Sequence, residues 1–362
     1  MVTIHWSKPI CKEPGNYIAW PTIVCASDGE LLVVFSGDRD EHVCPYGKNE
    51  LIRSSDQGET WSAPVIINNS PLDDRDSGLL QLSNGDLVMT TFTAITVDQL
   101  DYYREMLTQG ISGARWTAQQ VDSWERHCSK VMPETRERWK GCWTRRSSDG
   151  GHTWEPHVES IVTAPHGPRE TADGTLVYVG TADVAGRPAV VCAESRDHAR
   201  SWQKVGVVAH IDDYSDRFSL SEPHVIEVDD GGLLCLMRTN DDEAGLHACR
   251  SADGGRSWSM PEPTGMVAFD NPPHLLRLAD GRLLCTYGQR QAPFGERACL
   301  SVDEGRTWLV DDQIVLCEAP DTDLGYPATA EISPGELLSV YYQRHQPGEK
   351  VSINATRWSL ER

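Results

Sequence analysis

The sequence predicts an all-β protein, a six-bladed β-propeller with a helical insertion in its second blade. Three observations carry this expectation. An octet of the form Ser-x-Asp-x-Gly-x-Thr/Ser-Trp recurs as SSDQGETW (54–61), SSDGGHTW (147–154), SADGGRSW (251–258) and SVDEGRTW (301–308). A degenerate copy, SRDHARSW (195–202), has Ala199 where the glycine belongs. Interleaved with the octets are six apolar runs, each broken by an Asx-Gly or similar turn, at 21–35, 77–92, 167–180, 223–237, 273–287 and 326–342. Asn/Asp-Gly between apolar runs is the strongest short signal for a hairpin. Outside one stretch the hairpin-to-octet distance is nearly constant, so each unit reads as a block of about four strands, the period of a propeller blade.

Taken in order, the N-terminal strand VTIHW is expected to pair into the last blade and close the ring, which removes an open sheet edge. Five hairpins are each followed by an octet, and the sixth by VSINATRWSL, a further strand. The exceptional stretch is 95–140, where LDYYREML and DSWERHCSKVMPETRERW have helical spacing. It reads as an inserted helical pair on one rim, either a packing excursion or a wall or lid of a pocket. The chain as a whole, 1–362, reads as a single propeller domain.

Composition narrows the partners. A net charge of −21 argues against nucleic acid or an anionic membrane as the main partner. It leaves room for an anionic small ligand, since a local arginine cluster opposes the global field. The eleven cysteines show no CxxC pair and lie mostly in apolar runs (Cys25, Cys192, Cys235, Cys285). They read as small buried hydrophobes in a reducing compartment. The segment MVTIHWSKPICKEPG lacks a signal-peptide pattern, and no run reaches the roughly 18 apolar residues of a membrane helix. The expectation is a cytoplasmic protein without a cofactor.

Each octet residue has a structural task. Ser and Asp bond nearby backbone N–H groups and fix a turn. Gly supplies a positive φ, and Trp fills a hydrophobic layer with its N–H bonded locally. The octets resemble the Asp-boxes of the sialidase superfamily, and with the hairpins this resemblance spans nearly the whole chain. Asp-boxes mark this kind of propeller without specifying an activity, so chemistry has to come from other residues.

In a propeller the starts of the innermost strands converge at one end of the axis, a natural place for a ligand. The residues there are Trp20-Pro21, Arg75-Asp76, His166-Gly167-Pro168, Glu222-Pro223-His224, Asn271-Pro272-Pro273-His274 and Gly325-Tyr326-Pro327. SEPHVIEVDDGGLLCLMR resembles the sialidase glutamate strand with its arginine, which here are Glu222 and Arg238; GYPATAEISPGELLSVYYQ resembles the nucleophile strand, with Tyr326 as the tyrosine. The resemblance implies that Tyr326 attacks while Glu222 takes its proton, a neutral phenol being tolerated beside a substrate carboxylate. Sialidases with a tyrosine nucleophile depart in this way from the paired carboxylates of most glycosidases.

The same resemblance implies an arginine clamp for that carboxylate. Arg238 is one member, with Arg290 or Arg297 from blade five. The first arginine of the family falls on Ala19 in YIAWPTI and is absent, with Arg75 or Arg39 as substitutes. The proton donor is expected in GDRDEHVCPYGKN, where Asp40 is nearest in type and Glu41 and His42 compete; Asp76 stands where the family contacts substrate side groups. His166, His224 and His274 could bond sugar hydroxyls, act as acid or base, or meet a divalent ion, and no metal is assigned. The expected partner is a glycan bearing an acidic sugar, and the expected activity an exo-glycosidase removing it. A uronic-acid or rhamnose-linked glycosidase, a polysaccharide lyase and a non-catalytic glycan-binding propeller are the alternatives.

Overall fold

The computed structural model describes residues 1–109, 116–214, 219–229, 231–240, 245–346 and 348–361. Six four-stranded antiparallel sheets surround one axis. The innermost strands are Tyr17–Cys25, Asp73–Gln81, Arg169–Glu170, Leu220–Glu227, His274–Arg277 and Leu324–Ser333. In the sixth blade the N-terminal strand Val2–Cys11 is outermost and pairs with Ser352–Leu360, from Val2 opposite Leu360 to Cys11 opposite Ile353. The ring is therefore closed by the two ends of the chain. The insertion in blade two holds α1 (Leu100–Thr108), α2 (Ala118–Cys128) and α3 (Pro133–Trp139). A capping box, Thr117 with Gln120, starts α2.

The octets lie at the turn between the third and fourth strands, as their chemistry requires. In the first, Gly58 N–H donates to Ser54 Oγ at 2.9 Å, Thr60 N–H donates to Asp56 Oδ1 at 2.9 Å, and Trp61 Nε1 donates to Gly58 O at 3.1 Å. Hydrogen bonds from Thr60 and Ser54 hold the Asp56 carboxyl at about 2, below its ordinary value. The degenerate octet keeps the geometry: Ala199 N–H donates to Ser195 Oγ at 2.9 Å, and Ala199 accepts a φ of 61°.

The tryptophans pack between blades rather than within one. Trp61 of blade one lies in the cluster that holds Leu31 and the blade-six residues Leu338 and Val340. Trp154 joins blade two to blade one, and Trp258 joins blade four to blade three. A second stitch was not foreseen. Side chains near the outlet of the inner strands accept from the hairpin turn of the preceding blade: Gln81 from Ser27 N–H (2.8 Å), Glu170 from Ser83 N–H (2.6 Å), Glu227 from Ala172 N–H (2.7 Å) and Glu331 from Ala279 N–H (2.7 Å). Between blades four and five Glu304 takes this part, accepting from Asp229 N–H at 3.0 Å and from Arg277 Nη2 at 2.7 Å.

Blades one and two are also joined by Arg39 and Asp73, both fully buried and paired through two hydrogen bonds, the Nη2–Oδ2 contact being 3.0 Å. Burial opposes the guanidinium charge, and Asp73 more than offsets this, raising the Arg39 pKa. Removing one member of a buried pair costs about 3–5 kcal/mol, whereas an apolar replacement of both is often neutral. Asp73→Ala is thus expected to lower the urea-denaturation free energy by about 3–5 kcal/mol, and Arg39→Met with Asp73→Leu to recover most of it. A loss below about 1 kcal/mol in Asp73→Ala, the range of surface pairs, would show the pair to be dispensable. Glu304 gives a pH test. Its carboxyl is held at about 2, chiefly by the hydrogen bonds from Arg277. A depressed folded pKa stabilises above the unfolded value of about 4.3 and ceases to do so as pH falls toward 2. The stability gap between wild type and Glu304→Gln is expected to be constant above about pH 5 and to close below it; a gap independent of pH refutes the assignment.

Candidate active site

Four inner strands carry the same irregularity. The pairing with the second strand shifts between Ala19 and Thr22, Arg75 and Gly78, Ser221 and His224, and Gly325 and Ala328. At each shift one non-glycine residue is left-handed: Trp20 (φ 58°), Asp76 (38°), Glu222 (45°) and Tyr326 (53°). Such a conformation costs about 1–2 kcal/mol per residue, and bulges of this kind re-aim side chains beside active sites. Crowding enforces the backbone: a Cβ on Gly325 would lie 1.8 Å from Asn271 Oδ1.

The bulges bring Tyr326 and Glu222 together. Tyr326 OH donates to Glu222 Oε1 at 2.8 Å, and Arg238 Nη1 donates to Tyr326 OH at 3.0 Å. Arg238 also pairs with Glu222 through Nη1, and its Nη2 lies 3.1 Å from Asp270 Oδ1. Burial and then the Glu222 charge push the phenol pKa well above its ordinary value, so the phenol is neutral at rest. Burial works against the Arg238 charge, but Glu222, Tyr326 and Asp270 outweigh it and raise that pKa.

Arg290 approaches from blade five, its Cζ 6.0 Å from the Tyr326 ring centroid, and donates to Tyr342 OH at 2.8 Å. A cleft of about 340 Å³ opens here, lined by His42, Trp116, Asp270, Arg290, Asp323 and Tyr342 among others. Trp116 belongs to the insertion, which therefore supplies one wall of the cleft. Trp20 is buried beside Tyr326, with ring centroids 6.4 Å apart; His42 stands edge-on to it at 5.0 Å, and Arg75 Cζ lies 4.6 Å over its ring. Asp76 is buried, and burial, with Glu222 adding and Arg75 subtracting, raises its carboxyl to about 7.

Other expected residues are placed elsewhere. Arg39 is engaged by Asp73 and sealed from solvent. Arg297 is buried and donates only to backbone, to Pro293 O at 2.7 Å and to Glu296 O and Cys317 O at 3.0 Å. Asp40 turns toward the insertion, where its Oδ2 accepts from Tyr46 and, at 2.8 Å, from Trp124 Nε1. The three histidines meet on the axis with ring centroids 4.8–5.7 Å apart. They serve as bridges: His224 Nδ1 accepts from Leu275 N–H at 2.7 Å and His274 Nδ1 from Thr329 N–H at 3.3 Å, while His166 Nδ1 bonds Thr22 Oγ1 at 3.2 Å. Burial and then Arg169 lower the pKa values of all three, His166 to about 3. Among the described residues no cluster of His, Cys, Asp and Glu is arranged to hold a metal. Asp270 and Tyr342 were not anticipated. Tyr342 has a sequence signal, since Leu337 and Leu233 are equivalent positions, opposite Glu331 and Glu227, and Tyr342 and Arg238 each lie five residues on.

Residues 127–338 match the model of the BNR repeat-like domain. No curated protein matches the chain. Among solved structures, a protein of unknown function from Dyadobacter fermentans is similar over 99% of both chains, at 22% identity and a TM-score of 0.79. A Hadza microbial sialidase is similar over 95% of this chain and 66% of its own, at 19% identity and a TM-score of 0.65. The intramolecular trans-sialidase of Ruminococcus gnavus, in complex with oseltamivir carboxylate, is similar over 95% of this chain and 94% of its own, at 12% identity and a TM-score of 0.64. These likenesses are of fold. The matched span covers more than half of the sequence and runs from the insertion to the last hairpin, so the chain belongs to the BNR repeat-like domain family.

Proposed function

We propose that this propeller is an exo-acting glycoside hydrolase that removes a terminal acidic sugar with a tyrosine–glutamate pair. The observation that carries the reading is the 2.8 Å hydrogen bond from Tyr326 OH to Glu222, with Arg238 at 3.0 Å from the same oxygen. A buried phenol with a raised pKa is a poor nucleophile until a base removes its proton as it attacks. Glu222 is placed to accept that proton. The phenol oxygen bonds to the anomeric carbon, and the glycosidic oxygen leaves with its electron pair and a proton from an acid. Water then attacks the same carbon, giving its proton to that acid's conjugate base, and the phenol oxygen leaves and recovers its proton from Glu222. Two displacements retain configuration.

Asp76 suits the acid role better than Asp40. It sits at the shifted position of blade two and carries a proton near neutral pH, whereas Asp40 Oδ2 is held by Tyr46 and Trp124. A lyase or glycosidase using His166, His224 or His274 as acid or base is not supported by their burial or by the inter-blade bonds that occupy each Nδ1.

Tyr326→Phe and Glu222→Gln are each expected to lower kcat on a cleaved glycoside by at least about 10³-fold, the scale of losing nucleophile or base, with the fold intact by circular dichroism. Full activity in either variant sinks the reading. Asp76 predicts a kcat that falls as pH rises through about 7. Asp76→Asn should lower the plateau by about 10²-fold or more and abolish that limb; an unchanged limb assigns the acid to another group.

A further inference from the structure

A guanidinium carries five N–H donors, and most of those of Arg238 and Arg290 are already engaged, although Arg238 Nε is buried without a partner. Arg290 donates through Nε to Leu324 O (3.2 Å), through Nη2 to Leu324 O (3.0 Å) and Tyr342 OH (2.8 Å), and through Nη1 to Asp270 O (2.7 Å). Arg238 is shared by Glu222 and Tyr326, and its Nη2 faces Asp270 Oδ1 at 3.1 Å. The other Asp270 oxygen is 3.7 Å from Arg290 Nη1. A carboxylate of the protein itself thus stands between the two guanidinia, and at its register shift blade one brings Ala19 and Trp20 and no cation. Two cations already face two anions, Glu222 and Asp270. A substrate carboxylate at this place would add a third negative charge or have to displace Asp270.

Arg75 is in the opposite condition. Its guanidinium lies 4.6 Å over the Trp20 ring, its Nε is buried without a partner, and it makes no hydrogen bond or ion pair among the described residues. Its charge acts on its sequence neighbour Asp76, and Tyr326 stands on the same Trp20 ring, with ring centroids 6.4 Å apart.

We infer that the sugar taken by this site carries no carboxylate on its reacting carbon, and that its acidic group, placed as in a hexuronide across the ring oxygen from that carbon, pairs with Arg75. The inference rests on the glycosidase reading of Tyr326 and Glu222. It retains the reason for a phenol nucleophile, because the anion that would repel an attacking carboxylate is then Asp270.

Calorimetric titration of the full chain with glucuronate, galacturonate and N-acetylneuraminate tests it. One of the hexuronates is expected to bind at least about 10-fold more tightly than N-acetylneuraminate, an ordinary worth for one charge-assisted contact. Arg75→Met should weaken that hexuronate by about 10-fold or more, and Asp270→Ala and Asp270→Asn should tighten N-acetylneuraminate by a similar factor; urea midpoints check that the variants fold. Tighter binding of N-acetylneuraminate by wild type, binding of none of the three, or weaker or unchanged N-acetylneuraminate binding in the Asp270 variants overturns the inference. Turnover by Tyr326→Phe judges the glycosidase reading separately. Reversed binding with an inactive Tyr326→Phe rejects the hexuronide alone, and the expected binding with an active Tyr326→Phe rejects the mechanism alone.

Discussion

The site depends on one guanidinium. Arg238 lies against Glu222, Tyr326 and Asp270, which come from blade four, blade six and the loop before blade five. Burying a cation is unfavourable unless it is paired and hydrogen-bonded. Its partners are on different blades, so the ion is tolerable only when three blades are in register. The inter-blade stitches supply that register, through octet tryptophans on one side and strand-end carboxylates on the other. In return Arg238 orders Tyr326 and Glu222. It holds the Glu222 carboxylate and gives the phenol oxygen a second contact, so that oxygen has a defined position.

The position has a backbone cost. A regular inner strand alternates its side chains between the two faces of the blade, and both faces are covered by neighbouring blades. A residue directed into the axial mouth must leave that alternation. Trp20, Asp76, Glu222 and Tyr326 do so by the same device, a register shift with a left-handed residue. Blades three and five lack it at this position and send histidines to the axis instead, where the rings bridge blades and fill space. The strain thus falls on blades one, two, four and six.

What the sequence shows and conceals follows from the range of the interactions. Octets and hairpins are legible because they are satisfied within a few residues: Ser54, Asp56 and Gly58 bond one another. Tyr326, Glu222 and Arg238 are legible as strand starts and ends at matching points of the repeat. Arg39 and Arg297 are not, since what removes them from the site is the company they keep: Asp73 for one, the carbonyls of Pro293, Glu296 and Cys317 for the other. Asp270 sits in an irregular loop outside every repeat, with no pattern to mark it. The insertion was legible as helix, but its role was open until Trp116 was found on the wall of the cleft and Trp124 on Asp40.

Range also explains why net charge is silent about the ligand. Many of the carboxylates behind the charge of −21 serve the frame. Asp56, Asp149, Asp253 and Asp303 each hold an octet turn, and hydrogen bonds keep their carboxyls ionised far into acid. Glu170, Glu227 and Glu331 join blades. At the axial mouth charges are instead matched pair by pair: Arg238 with Glu222, and Arg290 with Asp270 as the weaker contact. Recognition of an anion there is governed by which cation is left without a match within hydrogen-bonding reach. A frame this acidic does not by itself exclude an anionic ligand, because the frame's carboxylates face their own backbone N–H groups and the Debye length in physiological salt is only about 8 Å. The field that a ligand meets is then set by the few side chains around Trp20, and among these Arg75 is the one whose donors have no protein acceptor among the described residues.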